Sequence, residues 1–361
     1  MRICFLGPAS NVHIIKWCGW FSSHGHEVHV ISFIPGEISD AKVHLIDIGV
    51  DVKGSDAGKL KYLLTGGKIR KLVREIQPDI VNVHYASSYG AAAAMSGLKG
   101  YVLSVWGSDV YDFPKKSPLH KALLKYSLRR AGYLFSTSRA MAEETSKYTS
   151  KRFEITPFGV DMELFSPDKR TKEDDSAFVV GTVKSLSDKY GIRYLLEAVA
   201  AVKKKGEIPI RLRIAGKGPQ EEEYRRLAER FGISDITDWL GFISQAEAAT
   251  EWANMDIAVI PSALESESFG VAAVEAQACG TAVIISDIPG LMEATKPGLT
   301  SKVVPREDAA AIAAAITILY RDKALREKMG AEGSRFVRAN YELDQCFLNI
   351  EKLFYEIKGR R

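Results

Sequence analysis

The chain has 361 residues, of which 46% are hydrophobic and 26% are charged, as in ordinary globular proteins. This length predicts two domains, and the composition excludes intrinsic disorder and fibrous folds. The 49 Lys and Arg residues against 45 Asp and Glu residues give a net charge of +4, too balanced for a nucleic-acid-binding coat. Four widely spaced cysteines without a Cys-x-x-Cys pair exclude a disulfide scaffold and a thiolate zinc site, and they favour a reducing cytoplasm.

Short β-branched runs alternate with amphipathic helical stretches along the whole chain. The first half predicts strands at 3–6, 28–33, 80–84, 102–106, 133–136 and 153–156, with helices at 12–23, 58–76, 117–131 and 140–148. The second half predicts strands at 178–183, 212–215, 238–240, 257–260, 282–285 and 302–304, with helices at 190–204, 220–231, 245–254, 271–279 and 309–320. Such alternation indicates βαβ units, hence parallel sheets covered by helices on both faces.

The polar stretch 166–177 predicts a linker between two domains. We therefore expect Rossmann-like α/β domains at 1–165 and 178–340 that face each other across a cleft, the usual ligand site in such folds. Residues 341–361 predict a further helix, whose apolar positions recur at helical spacing: Leu343, Phe347, Ile350, Phe354 and Ile357. We expect this stripe to pack back toward the first domain.

The segment 261–280 is the richest in residues suited to chemistry. Glu267 is expected in a loop and Glu275 on the second turn of the helix that follows. The helix N-terminus between them, where main-chain N–H groups and the helix dipole attract a diphosphate, is formed by Ser268, Phe269, Gly270 and Val271. Taken alone, the two glutamates are equally well explained as a solvated loop residue and a helix-surface residue.

The motifs around these glutamates resemble those of the family 4 retaining glycosyltransferases, which have the GT-B fold. The hallmark of that family is a pair of glutamates separated by seven residues, as Glu267 and Glu275 are. Matching motifs run in order through nearly the whole chain: Gly25-His26-Glu27-Val28, Pro157-Phe158-Gly159-Val160-Asp161, Gly216-Lys217-Gly218-Pro219, Leu240-Gly241-Phe242, Pro261-Ser262, Glu267-Ser268-Phe269-Gly270, Ala278-Cys279-Gly280 and Ser286-Asp287-Ile288-Pro289-Gly290.

The resemblance assigns the donor to the second domain. It implies that Lys184 and Lys189, five residues apart, hold the donor diphosphate, although relatives have Arg at the first position and Lys offers a point charge instead of a bidentate fork. Outside this context they would be two surface lysines. The resemblance further implies that Glu267 orients the sugar and Glu275 the ribose. Loop residues expected near the nucleotide are Gly216, Gly241, Phe242 and Ile243.

The first domain would hold the acceptor. Ser10 lies in the turn after the first strand and can offer a main-chain N–H to phosphate. Three residues are expected at the acceptor rim: His84, Tyr89 and Trp106. Trp106 stands where many relatives have His, and Asp109 either binds sugar hydroxyls as part of the catalytic set or caps the short helix after it.

Two further features carry alternative interpretations. His24, His26 and His29 form a metal-like pattern, but they straddle a predicted helix end and strand start, so we expect no metal site. The segment 115–130 contains six Lys and Arg residues and no acidic residue. It is either a core-packed helix with a solvated basic face or a contact with an anionic membrane surface.

The family resemblance implies a metal-independent hexosyltransferase without a resident cofactor. We expect a nucleotide-diphosphate sugar as donor, UDP ahead of GDP, and a sugar or lipid-linked acceptor in cell-surface polysaccharide or glycoconjugate synthesis. The protein would be cytoplasmic, and peripheral at the inner membrane face if the basic helix binds lipid. The alternatives are a non-catalytic partner subunit that binds a nucleotide-sugar, and a UDP-sugar epimerase.

Overall fold

The structure is a computed structural model that describes residues 1–49, 60–171 and 177–360. Two compact units divide the chain. The first comprises Met1–Pro157 together with Phe347–Arg361, and the second comprises Phe158–Cys346.

The first unit is built on a seven-stranded parallel sheet in the order β3-β2-β1-β4-β5-β6-β7. Its strands are β1 (Arg2–Leu6), β2 (Glu27–Ser32), β3 (Lys42–Leu45), β4 (Ile80–His84), β5 (Val102–Val105), β6 (Tyr133–Ser136) and β7 (Phe153–Ile155). The central strands β1, β4 and β5 are mostly apolar and almost entirely buried, because helices cover both faces of a parallel sheet. The strand order reverses between β1 and β4.

The second unit is built on a six-stranded parallel sheet in the order β10-β9-β8-β11-β12-β13. Its strands are β8 (Phe178–Val183), β9 (Ile210–Ala215), β10 (Thr237–Gly241), β11 (Ile257–Ile260), β12 (Ala282–Ser286) and β13 (Ser301–Val304). The strand order reverses between β8 and β11, the position at which doubly wound folds bind ligands.

Fourteen α-helices lie within the described residues. Those of the first unit are α1 (Val12–Ser23), α2 (Gly66–Ile76), α3 (Tyr89–Ser96), α4 (Ser108–Tyr111), α5 (Pro118–Arg130) and α6 (Arg139–Ser146). Those that follow are α7 (Ile192–Lys205), α8 (Glu221–Arg230), α9 (Gln245–Asn254), α10 (Val271–Ala278), α11 (Pro289–Glu293), α12 (Ala309–Arg321), α13 (Lys323–Tyr341) and α14 (Leu343–Gly359). Short 3-10 helices occur at Leu60–Thr65, Phe113–Lys115, Pro167–Lys169, Asp188–Tyr190 and Ser234–Ile236.

Side-chain caps start several of these helices. Asn11 accepts from the His13 N–H at the start of α1, and Ser117 accepts from the His120 N–H at the start of α5. Ser244 and Glu247 form a reciprocal capping box on α9. These caps satisfy main-chain donors that the first turn leaves without partners.

The predicted pair of Rossmann-like parallel-sheet domains is confirmed, with several differences in detail. The sequence pattern missed β3, the Ala-rich α3 and the long α13. The helix predicted at 58–76 is a 3-10 helix at Leu60–Thr65 followed by α2, and residues 58 and 59 lie outside the described part.

The predicted linker 166–177 is described only at its two ends. Ser166–Thr171 belongs to the second unit, whose first residue is Phe158. Its 3-10 helix starts at a Ser166 cap, Arg170 pairs with Asp256 at 3.6 Å, and the Thr171 N–H donates to Asn254. Residues 172–176 lie outside the described part of the chain.

The terminal helix α14 starts in the second unit and continues into the first. Its buried Phe347 lies 5.3 Å from the ring of Trp17, and Phe354 stacks on Phe21 at 5.5 Å. Glu351 bonds the His26 ring at 2.6 Å. The apolar stripe of the helix therefore packs against α1.

Candidate active site

The carboxyl ends of β8 and β11 bring together the lysines and the glutamate loop of the second unit. Lys184 directly follows β8, and Pro261 directly follows β11. These strands are hydrogen-bonded neighbours where the strand order reverses, so the loops that leave them lie side by side.

Close main-chain approach locks these two loops together. Gly191 has a φ of +63°, and a Cβ there would lie 2.0 Å from the Pro261 carbonyl oxygen. The Ala263 N–H donates to the Lys189 carbonyl at 2.8 Å. Only glycine allows this conformation and this approach without a clash. The sequence therefore fixes the spacing between the lysine loop and the glutamate loop.

Lys184 and Glu267 form a nearly buried ion pair. Their Nζ and Oε2 atoms are 2.9 Å apart, with 12% and 8% of the respective side chains exposed. Burial opposes the charge of the Lys184 ammonium, but the Glu267 carboxylate, together with Tyr190 and Glu275, outweighs burial, so the pKa of this lysine is raised. The lysine consequently stays protonated in the neutral pH range.

The side chain of Lys189 reaches the same loop and contacts its main chain. Its Nζ donates to the Ser266 carbonyl oxygen at 2.8 Å. Both ammonium groups also lie over the ring of Tyr190, at 4.6 Å from the centroid for Lys184 and 5.3 Å for Lys189. Two cations and one carboxylate thus meet around a single aromatic ring.

The N-terminus of α10 opens next to Glu267. Gly270, which has no side chain that could cap the helix, occupies the N-cap position at a φ of +78°. The preceding Phe269 is buried against Phe158 and Tyr341, with ring centroids 5.9 and 5.4 Å away. This packing holds the end of the helix in place.

A second glycine keeps the same loop close to its neighbour. A Cβ on Gly290 would lie 2.5 Å from the Ser268 carbonyl carbon and oxygen. The N–H groups of the first turn of α10 can donate hydrogen bonds to an anion at this point, and the positive end of the helix dipole attracts it.

Glu275 lies half-buried on α10, eight positions after Glu267. Its Oε2 accepts a hydrogen bond from the Trp252 indole N–H at 3.3 Å. Trp252 is fully buried on α9. This contact, which the sequence does not predict, fixes the direction of the second glutamate.

The other predicted donor residues lie at the ends of β9 and β10. The Gly216 N–H donates to the Gly241 carbonyl at 2.6 Å, and a Cβ on Gly216 would lie 1.9 Å from the Lys184 carbonyl oxygen. Phe242 is 80% exposed and Ile243 is half-buried. The glycines therefore allow the loops around Lys184 to approach closely, and Phe242 presents an aromatic ring to solvent.

The structure contradicts two of the predicted acceptor contacts in the first unit. Tyr89 is buried, accepts from the Phe33 N–H and stacks on the Phe33 ring at 4.4 Å, so it is a core residue whose pKa burial raises to about 12. His84 is fully buried, and neither ring nitrogen has a partner among the described residues. Burial lowers its pKa to about 3.

Trp106 is half-buried and covers part of this region. Its ring makes edge contacts with His84 at 5.2 Å and with His13 at 5.7 Å. Ser10 is exposed in the turn before α1. Of the three predicted rim side chains, only Trp106 retains an accessible surface.

Asp109 is fully buried and holds two loops instead of facing solvent. Its Oδ2 accepts from the Ala86 N–H at 2.7 Å, and its Oδ1 accepts from the Trp106 and Gly107 N–H groups at 3.1 and 2.8 Å. Burial raises its pKa against these hydrogen bonds. The expected sugar contact is therefore replaced by a structural role, which joins the loops after β4 and β5.

The three clustered histidines point to different partners. His24 stacks on Trp20 at 3.7 Å, His26 bonds Glu351, and His29 bonds His44 at 2.9 Å. Within residues 1–49, 60–171 and 177–360, no group of three or more His, Cys, Asp or Glu residues could hold a metal ion. In the same residues, no helix is both long and apolar enough to cross a membrane.

Comparisons with known proteins place the chain in a family. Residues 166–336 match the model of glycosyl transferases group 1, and residues 2–138 match glycosyl transferase 4-like proteins. The chain is 30% identical to the D-inositol 3-phosphate glycosyltransferase of Pseudarthrobacter chlorophenolicus over 89% of this chain and 84% of that protein.

Solved structures share the fold at lower identity. Sucrose-phosphate synthase from Thermosynechococcus elongatus superposes with a TM-score of 0.85 at 19% identity, covering 100% of both chains. HepE from Anabaena, solved in complex with UDP-glucose, superposes with a TM-score of 0.81 at 17% identity, covering 99% of this chain and 100% of that one. The fold is therefore GT-B, and the chain belongs to the group 1 glycosyl transferases.

Proposed function

We propose that this glycosyltransferase moves a hexose or N-acetylhexosamine from a UDP-sugar to a glycan or lipid-linked acceptor, with retention at the anomeric carbon. The observation that carries the proposal is the convergence of Lys184, Lys189 and Glu267 beside the N-terminus of α10. Two cations and a helix dipole suit a diphosphate, and an adjacent carboxylate suits sugar hydroxyls.

Negative charge builds up on the diphosphate as the glycosidic bond breaks. Lys184, Lys189 and the main-chain N–H groups at the start of α10 would stabilise this charge, which is the largest contribution such a site can make. Because these groups are already fixed by the locked loops, little reorganisation is needed when the charge develops. No metal ion is required in this scheme, and no resident cofactor.

The two glutamates would hold the two ends of the donor. Glu267 accepts hydrogen bonds from the sugar, and Glu275, directed by the Trp252 N–H, accepts them from the ribose. Phe242, with 80% of its surface exposed at the end of β10, offers an aromatic face to the base. The structure of HepE with UDP-glucose supports UDP over GDP as the nucleotide.

Retention would follow from attack on the same face as the leaving group. In this mechanism the acceptor hydroxyl forms the new bond to the anomeric carbon while the bond to the diphosphate oxygen breaks. The leaving phosphate oxygen takes the hydroxyl proton, so no covalent enzyme intermediate forms. Fixed cations near that oxygen stabilise the charge that remains there.

The donor and the reaction type can be tested directly. A thermal-shift series with UDP, GDP, UDP-glucose, UDP-galactose and UDP-N-acetylglucosamine should show stabilisation by the cognate nucleotide, because a ligand of the folded state raises the melting temperature. NMR of the product, with and without EDTA, then reports anomeric configuration and metal dependence. Sugar conversion without acceptor would indicate an epimerase, and UDP binding without transfer to any acceptor would indicate a non-catalytic subunit.

The basic helix α5 supports a peripheral membrane location. Lys115, Lys116, Lys121 and Lys125 are exposed on or beside it, and Leu119, 70% exposed, adds an apolar contact. Leu124 and Leu128 are buried on the opposite side. Each Lys near an anionic surface contributes about 1 kcal/mol of attraction. A cytoplasmic enzyme with a lipid-linked acceptor would bind the inner membrane face through this helix.

Liposome co-sedimentation tests this location. The wild-type protein should bind vesicles of phosphatidylglycerol and phosphatidylcholine, and changing the four lysines to Glu should abolish binding while UDP affinity is retained. A matched set of four changes to Glu at the exposed residues Lys204, Lys205, Lys328 and Lys352, on α7, α13 and α14, controls for net charge. Equal loss in both variants would refute a specific role for α5.

A further inference from the structure

We propose that Tyr190 is a positioning residue whose aromatic face arranges Lys184 and Lys189 as a pair for the donor diphosphate. This inference rests on the proposed function of the two lysines. Both ammonium groups lie over this ring, at 4.6 and 5.3 Å from its centroid. Distances within about 6 Å over a ring face are attractive because the π-system carries negative charge there.

The backbone holds this tyrosine at a fixed place between the two loops. Tyr190 ends the 3-10 helix Asp188–Tyr190, and its N–H donates to the Ser187 carbonyl at 3.0 Å. The next residue, Gly191, is the one in contact with the Pro261 carbonyl. The ring is therefore attached to the most constrained point of the site, and it partly packs on the core of the second unit.

The ring solves an electrostatic problem that the lysine pair creates. Two ammonium groups that serve one diphosphate must lie close together, and like charges repel. Lys184 pairs with the Glu267 carboxylate, and Lys189 donates to the Ser266 carbonyl oxygen. An aromatic face next to both ammoniums reduces their repulsion without adding an anion that would repel the diphosphate.

Binding of a donor would affect the ring contact of Lys184 differently from its ion pair with Glu267. A diphosphate competes with the Glu267 carboxylate because both are anions that bind the same ammonium. It does not compete with a ring face, so the lysine can keep this contact while its anionic partner is exchanged. Tyr190 would then hold the direction of the lysine before and after donor binding.

Three variants distinguish the effect of the ring face on UDP binding from the effects of side-chain volume and of the hydroxyl group. Tyr190→Phe keeps the face, and Tyr190→Leu removes it at moderate loss of volume. Tyr194→Leu is the matched control, because Tyr194 is one helical turn further on, packs on the same core and has Arg193 as its cation neighbour at 6.0 Å. We expect Tyr190→Leu to weaken UDP binding about 5- to 20-fold, with Tyr190→Phe and Tyr194→Leu within about twofold of wild type.

A double-mutant cycle measures the coupling by titration calorimetry with UDP. In a Lys189→Met background, the effect of Tyr190→Leu should shrink to about 2- to 5-fold, since one of the two cation contacts is already lost and Lys184 keeps the other. An undiminished effect there, or failure of Tyr190→Phe to restore binding, would overturn the proposal.

A second readout does not depend on the proposed function. Protons of the lysine ε-CH₂ groups near a ring face are shifted upfield, and selective labelling of lysine shows this by NMR in the ligand-free protein. We expect shifted Lys184 and Lys189 signals in wild type and Tyr190→Phe, and unshifted signals in Tyr190→Leu. If the shifts appear but UDP does not bind the wild type, the proposed function fails; if they are absent, the tyrosine proposal fails on its own.

Discussion

The ion pair between Lys184 and Glu267 predicts opposite effects of one substitution on stability and on nucleotide binding. Glu267→Gln keeps the shape and a hydrogen-bond acceptor but removes the charge that neutralises a nearly buried lysine. At 2.9 Å the pair attracts by about 6 kcal/mol for an effective dielectric constant of about 20. Desolvation of both ions offsets much of this, and removal of one partner leaves the other uncompensated.

We therefore expect Glu267→Gln to lower the free energy of unfolding of the second unit by about 2–4 kcal/mol. For a domain of this size that corresponds to a fall in Tm of about 5–15 °C. UDP should bind the same variant about 10- to 30-fold more tightly, because a carboxylate that repels the diphosphate is gone and Lys184 has lost the anion paired with it. Sugar transfer should nevertheless fall by orders of magnitude, because Glu267 is needed to hold the sugar.

Calorimetry with UDP, differential scanning calorimetry and a transfer assay measure the three effects on one preparation. Glu265→Gln is the matched control, since Glu265 lies two positions earlier in an exposed pair with Arg306 at 3.4 Å and should change each quantity little. Lys184→Met should weaken UDP binding. Weaker UDP binding by Glu267→Gln than by wild type would refute competition between the carboxylate and the diphosphate.

Three further predictions test the close contact between the two loops at Gly191 and the structural roles of the buried residues Asp109 and His84 in the first unit. Gly191→Ala should cost well over 2 kcal/mol and abolish UDP binding, whereas Gly206→Ala, also at positive φ but with open space around it, should cost about 1 kcal/mol in chemical denaturation and leave binding intact. Asp109→Asn should lower the melting temperature of the first unit while the Kd for UDP stays unchanged; unchanged stability with lost transfer would instead favour substrate contact. His84 stays neutral in the fold down to about pH 3 but takes up a proton near pH 6.5 when unfolded, so its contribution to stability should fall as pH decreases through this interval, by about 3 kcal/mol at pH 4. Burial also lowers the pKa of His13 to about 3, so His13 adds a contribution of the same sign. Urea titrations between pH 7.5 and 4 should show this slope in wild type and a flatter one in His84→Phe.

The fold could be predicted from sequence because its signals are local. Short β-branched strands and amphipathic helices can each be recognised within about ten residues of sequence, and their alternation implies parallel sheets. The missed elements lack such a signal. The helix α3 reads Tyr-Gly-Ala-Ala-Ala-Ala-Met-Ser and is buried almost all round, so it has no amphipathic period, and the short β3 lies at the edge of its sheet.

The candidate site divides in the same way. Lys184, Lys189, Glu267 and Glu275 could be selected from their spacing and from the family resemblance. The contacts between them join residues far apart in sequence: the Lys189 side chain and the Ser266 carbonyl are 77 positions apart. Only the strand order places these loops side by side, and periodicity does not specify strand order. Tyr190 was missed for this reason, since its neighbours in sequence give no indication of two ammoniums over its ring.

The burial of His84 and Asp109 shows a different limit of sequence reasoning. His84 ends β4 and Asp109 lies shortly after β5, at the edge where ligands bind in such folds, and position in the chain alone suggested substrate contact. Whether a side chain at such an edge faces outward depends on what packs above it. Trp106 covers His84, and three main-chain N–H groups occupy the carboxylate of Asp109. Such roles require tertiary contacts to be known.

The charge state of Lys184 explains how the site can be ready for an anion before the donor binds. The pKa of this lysine is raised by its partner, so its charge does not change at neutral pH when the donor arrives. What changes in our proposal is the identity of the anion bound to it. When the diphosphate replaces the Glu267 carboxylate, that carboxylate becomes available to the sugar hydroxyls, so one exchange prepares both ends of the donor. UDP without a sugar displaces the Glu267 carboxylate from Lys184 but gives that carboxylate no new partner. Only the intact donor supplies sugar hydroxyls whose hydrogen bonds to Glu267 offset the loss of the ion pair. The chain would thereby favour the intact donor over the spent nucleotide, which assists release of the product UDP.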